Sequence, residues 1–459
     1  MNRLDNLLKI EDNDELYHYA FSYKNALMYP FVRFFLLQSA IEDMQETPSL
    51  NDFSHIGIIQ RINYYLKSFW YRLPKNVQSD IVFFGTDISN VRQSNAYFNR
   101  LTESFANEYI SKTVLIESSD KLNYKRPRTY PKVFAKDFAG ISASFKSKMR
   151  SVTLEDLNQI RCFLKYLKQN FNYAFNNPDI WTIIEDTLIH FSKQLSFLCD
   201  GYTKMIKNLS PKIILLEDAC YGGGNTPLIM AAKELKIPIG EFQHGFISLA
   251  HPAYNYSAQL PEYYKRYIPD FFMSYGKYWT ENSRIPIKVF ECGNPYLSDA
   301  ALQCSQKEQI LCLSSTMEPE RSVHEVTWLN RQLADKGYSV IFRIHPGETF
   351  RLQTVYKPVI DAGIAIDTQP LYETLKYTKY LIGDVSTVLF EATLFNCIIF
   401  VMDNASNREN MDISQFNNYH SVEKLVEIIS SKNYKKTESN HFWADDWRIK
   451  YRKFIDSYL

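Results

Sequence analysis

The stretch Lys212-Ile213-Ile214-Leu215-Leu216-Glu217-Asp218-Ala219-Cys220-Tyr221-Gly222-Gly223-Gly224-Asn225-Thr226 runs on to Ile237-Pro238-Ile239-Gly240-Glu241-Phe242-Gln243-His244-Gly245. Its apolar pattern changes period twice. Lys212 to Leu216 is a short apolar run ending at turn residues, which predicts a buried strand. Thr226 to Leu235 has helical spacing, and Ile237 to Phe242 is a second strand. Strand, helix and strand in this order make a βαβ unit, and hence a parallel sheet. Similar strands are expected at Asp80 to Gly85, Thr113 to Glu117, Asp270 to Tyr275 and Lys288 to Cys292. Helical patterns are expected over most of 1–75, at about 94–110, and over 154–208 with a break at Asn176-Asn177-Pro178.

A second alternating block follows Gly293-Asn294-Pro295. Strands are predicted at Gln309 to Leu313, Ser339 to Ile344, Ile364 to Asp367, Tyr380 to Ile382 and Cys397 to Met402. Helices are predicted at Val323 to Lys336, Leu352 to Ala362, Leu371 to Tyr377 and Ser386 to Phe395. Two of these stop at Gly337 and Gly363, the usual helix C-terminal punctuation. Helices at about 421–431 and 443–458 close the chain. The expected class is α/β, with two Rossmann-like domains facing a cleft and extra N-terminal helices. The domains are set at 1–292 and 293–440, with 441–459 a helix returning toward the first.

Bulk composition narrows the function. The 459 residues carry a net charge of +1, which leaves no electrostatic footprint for nucleic acid. Apolar runs such as Val82-Phe83-Phe84 and Ile398 to Met402 are far shorter than a membrane span of about 20 residues. The N-terminus has no unbroken apolar stretch of a signal peptide. Seven scattered cysteines (Cys162, Cys199, Cys220, Cys292, Cys304, Cys312, Cys397) contain no Cys-x-x-Cys pair, so a reducing, cytoplasmic setting is expected. The chain holds 32 Tyr and 31 Phe but only 15 Gly. Tyr64 to Lys75 mixes rings with Lys67, Arg72 and Lys75, which admits peripheral contact with the inner face of a membrane. An amphipathic helix packed on a core is the preferred reading there.

Ligands of open α/β sheets bind beyond the carboxyl ends of strands, and three strand ends carry unusual residues. His244-Gly245 follows one strand, and Glu217 and Asp218 end its neighbour. An imidazole there suits proton transfer, and either carboxylate could act as base or orient it. Gly222 to Gly224 must serve backbone conformation or close ligand approach, and the loop could hold an anion on free N–H groups. Arg343 and His345, two apart on one strand and followed by Pro346, are expected on the same sheet face, where cation and imidazole together would suit a diphosphate. A local carboxylate partner for Arg343 is the alternative. Ser386 and Thr387 open a helix after Gly383-Asp384, forming an N-cap and a phosphate site. Glu391, one turn on, could take ribose hydroxyls. Ser314-Ser315-Thr316 adds hydroxyls at an equivalent strand end.

With these residues in place, the chain resembles GT-B glycosyltransferases of bacterial capsule, O-antigen and teichoic acid synthesis. The likeness spans roughly 210–405. Leu216 to Tyr254 resembles the acidic strand end, helix and His-Gly of that group. Arg343 to Pro346 resembles the His-Pro motif, and Gly383 to Glu391 the Ser-Ser motif, of sialyl- and polysialyltransferases. CDP-glycerol-using teichoic acid polymerases carry a similar His-Gly and Ser-Ser pair. Glu217-Asp218-Ala219 departs from the family's Asp/Glu-Asp-Gly, and Thr387 replaces the second serine. The resemblance implies an inverting, metal-independent transfer that requires no cofactor. The donor would be a nucleotide-sugar, CMP-linked in preference to UDP- or GDP-linked, and the acceptor an oligosaccharide or glycolipid. His244, Asp218 or Glu217 would be catalytic. Ser314, Ser315, Arg343, His345, Pro346, Ser386, Thr387 and Glu391 would hold the donor. A CDP-glycerol or polyol-phosphate transferase and a nucleotide-sugar epimerase are the rival readings.

Overall fold

A computed structural model describes residues 3–42, 57–302, 308–315 and 318–459. Cys304 and Thr316 lie outside the described residues. Two parallel sheets dominate. The first contains β1 (Ile81–Thr86), β2 (Thr113–Ser118), β3 (Val133–Ala135), β4 (Ile213–Leu216), β5 (Ile239–Phe242), β6 (Phe271–Ser274) and β7 (Lys288–Glu291). Their order in space is β7-β6-β5-β4-β1-β2-β3. The second contains β8 (Gln309–Leu313), β9 (Ser339–Arg343), β10 (Ala365–Ile366), β11 (Thr378–Gly383), β12 (Ile398–Met402) and β13 (Asn417–Tyr419), in the order β10-β9-β8-β11-β12-β13. Every pairing within both sheets is parallel.

Counted from its own first strand, each sheet reads 3-2-1-4-5-6, the Rossmann order, with one extra edge strand in the first. The strand direction reverses its progression between β1 and β4, and again between β8 and β11. Those two switch points are where a crevice opens at the carboxyl ends of strands. Two Rossmann-like domains facing one cleft form the GT-B architecture expected from the sequence.

The N-terminal additions are helical, comprising α1 (Arg3–Leu8), α2 (Tyr29–Glu42), α3 (Ile58–Trp70), α4 (Asp137–Ser147), α5 (Leu154–Phe171), the long α6 (Asp179–Leu209) and α7 (Thr226–Glu234). Thr153 caps α5 by accepting from the Asp156 N–H, and Pro227 starts α7, where a missing N–H costs nothing. Inward residues of α6, such as Ile184, Leu188, Leu195 and Ile206, join Val82, Phe84, Ile214 and Leu216 of the sheet in one core. In the second domain, α8 (Pro319–Leu333), α9 (Thr387–Leu394) and α10 (Val422–Ser431) cover the sheet. The last helix, α11 (Trp447–Asp456), crosses back onto the first domain. Trp447 meets Phe105 edge-on at 5.6 Å, and Phe454 meets Phe271 at 5.0 Å. Burying each such side chain stabilises by about 1.5–3 kcal/mol. Gly293, at φ +76°, lies where a Cβ would come within 2.7 Å of the Ala444 carbonyl and 2.9 Å of the Trp447 Cβ. The interdomain turn is therefore clamped under the C-terminal segment.

Some expectations need correction. The region 94–110 is not one helix. Asn90–Gln93 and Ala96–Asn99 form an antiparallel hairpin, and only Glu103–Glu108 is helical. Ser94 takes φ +50° in the turn, and the Asn99 side chain accepts the N–H groups of Leu101 and Thr102, ending the strand. Of Leu352 to Ala362 only Lys357–Asp361 is α-helical, because Pro358 can sit only in a first turn. The edge strands β3 and β13 were not expected, since both are only three residues long and β13, Asn417–Tyr419, has no apolar run. Helix α3 does not pack its apolar face on a core. Ile59, Leu66 and Trp70 are 80%, 65% and 82% exposed. No described helix is long and apolar enough to cross a membrane.

Candidate functional site

The two switch points face each other across a cavity of about 1060 Å³. The first domain contributes Arg100, His244, Phe246, His251 and Tyr275. The second contributes Ser314, Ser315, His345, Ser386, Thr387 and Glu391.

On the first wall, β5 ends at Phe242 and sets His244 beside the end of β4. The His244 Nε2 lies 3.1 Å from Asp218 Oδ1. Asp218 takes a left-handed backbone, φ +58°, which turns its carboxylate toward the imidazole. The other ring nitrogen, Nδ1, is buried with no hydrogen-bond partner, 3.8 Å from Glu241 Oε1. Burial, and less so the Arg100 cation, push the His244 pKa down, while Asp218 pulls it up. The net direction keeps the ring neutral near pH 7. Glu241 is wholly buried, accepts the Cys220 N–H at 2.6 Å and the Tyr254 hydroxyl at 2.7 Å, and is raised by burial to about 7. His251 accepts the Ala253 N–H on Nδ1, so its Nε2 carries the proton and donates to the Tyr221 hydroxyl at 3.0 Å. Burial and then His244 hold His251 down to about 3, which leaves it neutral.

Glu217 stands apart from this pair. Its carboxylate accepts the Thr86 N–H at 2.8 Å and ties β1 to β4, outside the cavity lining. Burial and then the neighbouring Asp218 raise it to about 8. The structure thus places Glu217, a catalytic candidate from the sequence, behind the switch point, pinning it to Thr86. Gly222 also serves structure. At φ +66° its missing Cβ would lie 2.5 Å from the Pro30 carbonyl, so the glycine loop is shaped by α2 and does not line the cavity.

On the second wall, α9 points its first turn into the cavity. Ser386 is the N-cap, its hydroxyl oxygen accepting the Val388 N–H at 3.2 Å, and its O–H still able to donate. Thr387 opens the helix beside it. Glu391 lies one turn deeper. Burial raises its pKa, whereas Arg100 from the other domain and the Tyr372 hydroxyl lower it. His345 accepts the Gly347 N–H on Nδ1 at 3.1 Å, which places the proton on Nε2 as a donor. Ser314 is spent on the loop: it donates to Glu348 Oε2 at 2.9 Å and accepts the His345 N–H at 2.9 Å. Ser315 is buried and accepts the Glu318 N–H.

Two further expectations fail in place. Arg343 does not share the cleft with His345. Its Nη1 is 2.5 Å from Asp367 Oδ2 and donates to the Gln369 carbonyl at 2.9 Å, so the guanidinium is paired within its own domain. Pro346 lies outside the lining and starts a tight turn, Pro346–Arg351. The cation the cavity does hold is Arg100, which sequence reasoning missed. Its N–H is pinned to the Ser89 carbonyl at 3.2 Å, just past the hairpin that was read as helix. It influences His244 on one wall and Glu391 on the other.

No protein-family model matches the chain, and no curated protein does. Among solved structures, the chain is similar to UDP-GlcNAc 2-epimerase from Methanocaldococcus jannaschii, at TM-score 0.44 and 13% identity over 83% of this chain and 99% of that one. It is similar to UDP-N-acetylglucosamine 2-epimerase from Rickettsia bellii, at TM-score 0.41 and 12% identity over 83% and 96%. A likeness to the wall teichoic acid polymerase TagF has TM-score 0.39 and 14% identity over 87% and 86%.

Proposed function

We propose that the protein is an inverting, metal-independent glycosyltransferase that uses a nucleotide-sugar donor, CMP-linked in preference to others, and a glycan acceptor of the bacterial surface. The observation that carries this reading is the confrontation of two walls: a His244–Asp218 pair at 3.1 Å on one, and the hydroxyl-bearing helix start Ser386-Thr387 with His345 on the other. The acceptor hydroxyl attacks the anomeric carbon, the bond from that carbon to the phosphate oxygen breaks, and the nucleotide leaves with the electron pair. The hydroxyl proton passes to the His244–Asp218 pair. His244 lines the cavity and Asp218 lies beside it, outside the lining; Nε2 faces Asp218 and Nδ1 is sealed inside, so in this reading the carboxylate receives the proton through the imidazole that holds it. His345 Nε2–H, Ser386, Thr387 and the first N–H groups of α9 offset the growing phosphate charge, with Arg100 entering from the opposite domain. Glu391 takes the ribose hydroxyls.

A thermal-shift panel of CMP, CDP, UDP, GDP and ADP tests the donor half. A ligand that binds only the folded state raises the melting temperature. A shift with a cytidine nucleotide, lost in Thr387→Val, is the expected result; no shift with any of the five sinks the reading. Nucleotide released from a donor only when a glycan acceptor is present separates transfer from epimerisation. Turnover of CDP-glycerol in place of a CMP-sugar would move the protein to the polyol-phosphate transferases.

A further inference from the structure

Helix α3 turns its apolar side outward. Gln60, Arg61 and Asn63 are exposed, and the contact with the domain runs through Ser68, which is fully buried and shares a 2.8 Å hydrogen bond with the Tyr124 hydroxyl. Lys67 Nζ donates to Asn123 at 3.3 Å, and Tyr64 stacks on Tyr124. Its apolar side faces outward, with Ile58, Ile59, Ile62, Leu66, Phe69 and Trp70 all exposed. The neighbouring α4 extends the same surface. Phe145 lies 5.8 Å from Tyr65, Phe138 lies 5.9 Å from Phe69, and Met149 just beyond α4 is 92% exposed. Scattered exposed apolar residues are ordinary, but a contiguous apolar face of this kind marks an interaction site. Among the described residues nothing covers it.

Charge identifies the occupant. Residues 57–79 carry Arg61, Lys67, Arg72 and Lys75 and no Asp or Glu. Residues 138–154 carry Lys146, Lys148 and Arg150 and again no acid. The Arg72 guanidinium lies 3.6 Å over the Phe69 ring, and Lys148 Nζ lies 5.3 Å from that of Phe145, so cations rim the apolar surface. A second copy of the chain would bring one predominantly cationic rim against another, since the Asp137 carboxylate that opens α4 is turned to the Ser119 N–H and the Tyr124 hydroxyl. Rings and branched aliphatics ringed by Lys and Arg instead suit the boundary between headgroups and acyl chains of an anionic bilayer.

We infer that the α3–α4 face is a docking surface for an anionic lipid bilayer. The Asp137 carboxylate at the start of α4 accepts the Ser119 N–H at 2.8 Å, just past the carboxyl end of β2. The surface thus begins at the cleft end of the first sheet, where a lipid-linked acceptor would approach. The docking itself is independent of the reaction proposed above.

Co-sedimentation of the full chain with vesicles tests it. Binding is expected to vesicles of mixed phosphatidylcholine and phosphatidylglycerol, to weaken with salt, and to be absent with phosphatidylcholine alone. The double variant Leu66→Glu, Trp70→Glu abolishes it, while circular dichroism melting stays at the wild-type value because both side chains are already exposed. Lys75→Gln and Lys148→Gln each weaken partitioning about fivefold. Failure to bind the anionic vesicles, equal binding to both compositions, or binding that survives the double variant each overturns the inference. A concentration-dependent dimer dispersed by that same variant, without vesicle binding, assigns the face to a second copy.

Discussion

His244 meets a carboxylate through Nε2 and hides Nδ1, so an imidazole alone is poorly placed to accept a substrate proton. Asp218→Asn keeps the shape and removes the proton acceptor. It should lower kcat about 10²- to 10⁴-fold, with nucleotide affinity by calorimetry unchanged. His244→Gln retains an N–H donor toward Asp218 and should lose only about tenfold, whereas His244→Ala should fall with Asp218→Asn. Equal losses in His244→Gln and Asp218→Asn would transfer the base to the imidazole. Arg100→Ala should instead weaken donor binding, because a cation interacting with phosphate contributes to affinity through a charge-assisted contact; unchanged calorimetric affinity would remove it from the donor site. Residues of the cleft were legible where a strand end announces itself, as at His244, His345 and Ser386-Thr387. Arg343 misled because its partner Asp367 lies 24 residues away, at the end of an edge strand only two residues long. Arg100 left no signal because its position depends on a hairpin turn at Ser94, which the apolar period of 94–110 conceals.

At the scale of elements, the N-terminal helices are attached to the first domain by a buried ion pair. Arg33 on α2 places Nε 2.6 Å from Glu11 Oε1, with the two side chains 3% and 0% exposed. The guanidinium also donates to the carbonyls of Pro252 and Asn255 and lies 3.7 Å over the Tyr256 ring. Glu11 further accepts the Tyr29 hydroxyl and the Ser257 N–H. Each guanidinium nitrogen thus has a partner, and the loop 252–257 that follows His251 is held in place. Removing one partner leaves an uncompensated buried charge, so Glu11→Ala should destabilise by about 3–5 kcal/mol. Urea denaturation would show it as an earlier loss of the first domain; a change below about 1 kcal/mol would mean that water reaches Arg33. The regular βαβ elements were readable from apolar runs bounded by turn residues. The pair at Glu11 and Arg33 was not, since two isolated charges in a helical sequence look the same whether they face water or each other.

Over the whole molecule the surplus of rings finds a place at the seam between domains. Tyr275, Tyr278 and Trp279 of the first domain pack with Phe390 of α9 and with Phe442 and Trp443 before α11. The Trp443 Nε1–H donates to the Phe390 carbonyl at 3.0 Å, and the Trp279 Nε1–H to that of Phe442 at 2.7 Å. Behind this seam the first domain buries three carboxyl groups whose acidity burial weakens: Glu217 to about 8, and Glu241 and Asp87 to about 7. Unfolded, such groups release their protons near pH 4. From pH 6.5 to 8 the folded chain therefore binds more protons than the unfolded one, and stability must fall as pH rises. The buried histidines His190, His244 and His251 have lowered pKa values. They work in the opposite sense, with an effect that is outweighed by the carboxyl groups at pH 6.5 and fades as pH rises further past the titration of the unfolded imidazole. Glu217 alone, one proton over one and a half pH units, accounts for up to about 2 kcal/mol. Its neutral form also leaves Asp218 without a like charge beside it, which matches a base held next to His244. The urea midpoint of the wild type should drop between pH 6.5 and 8, and Glu217→Gln, which cannot titrate, should drop less. A midpoint that stays level or rises in the wild type would mean that Glu217 is already ionised, and that a second negative charge lies beside Asp218 behind the switch point.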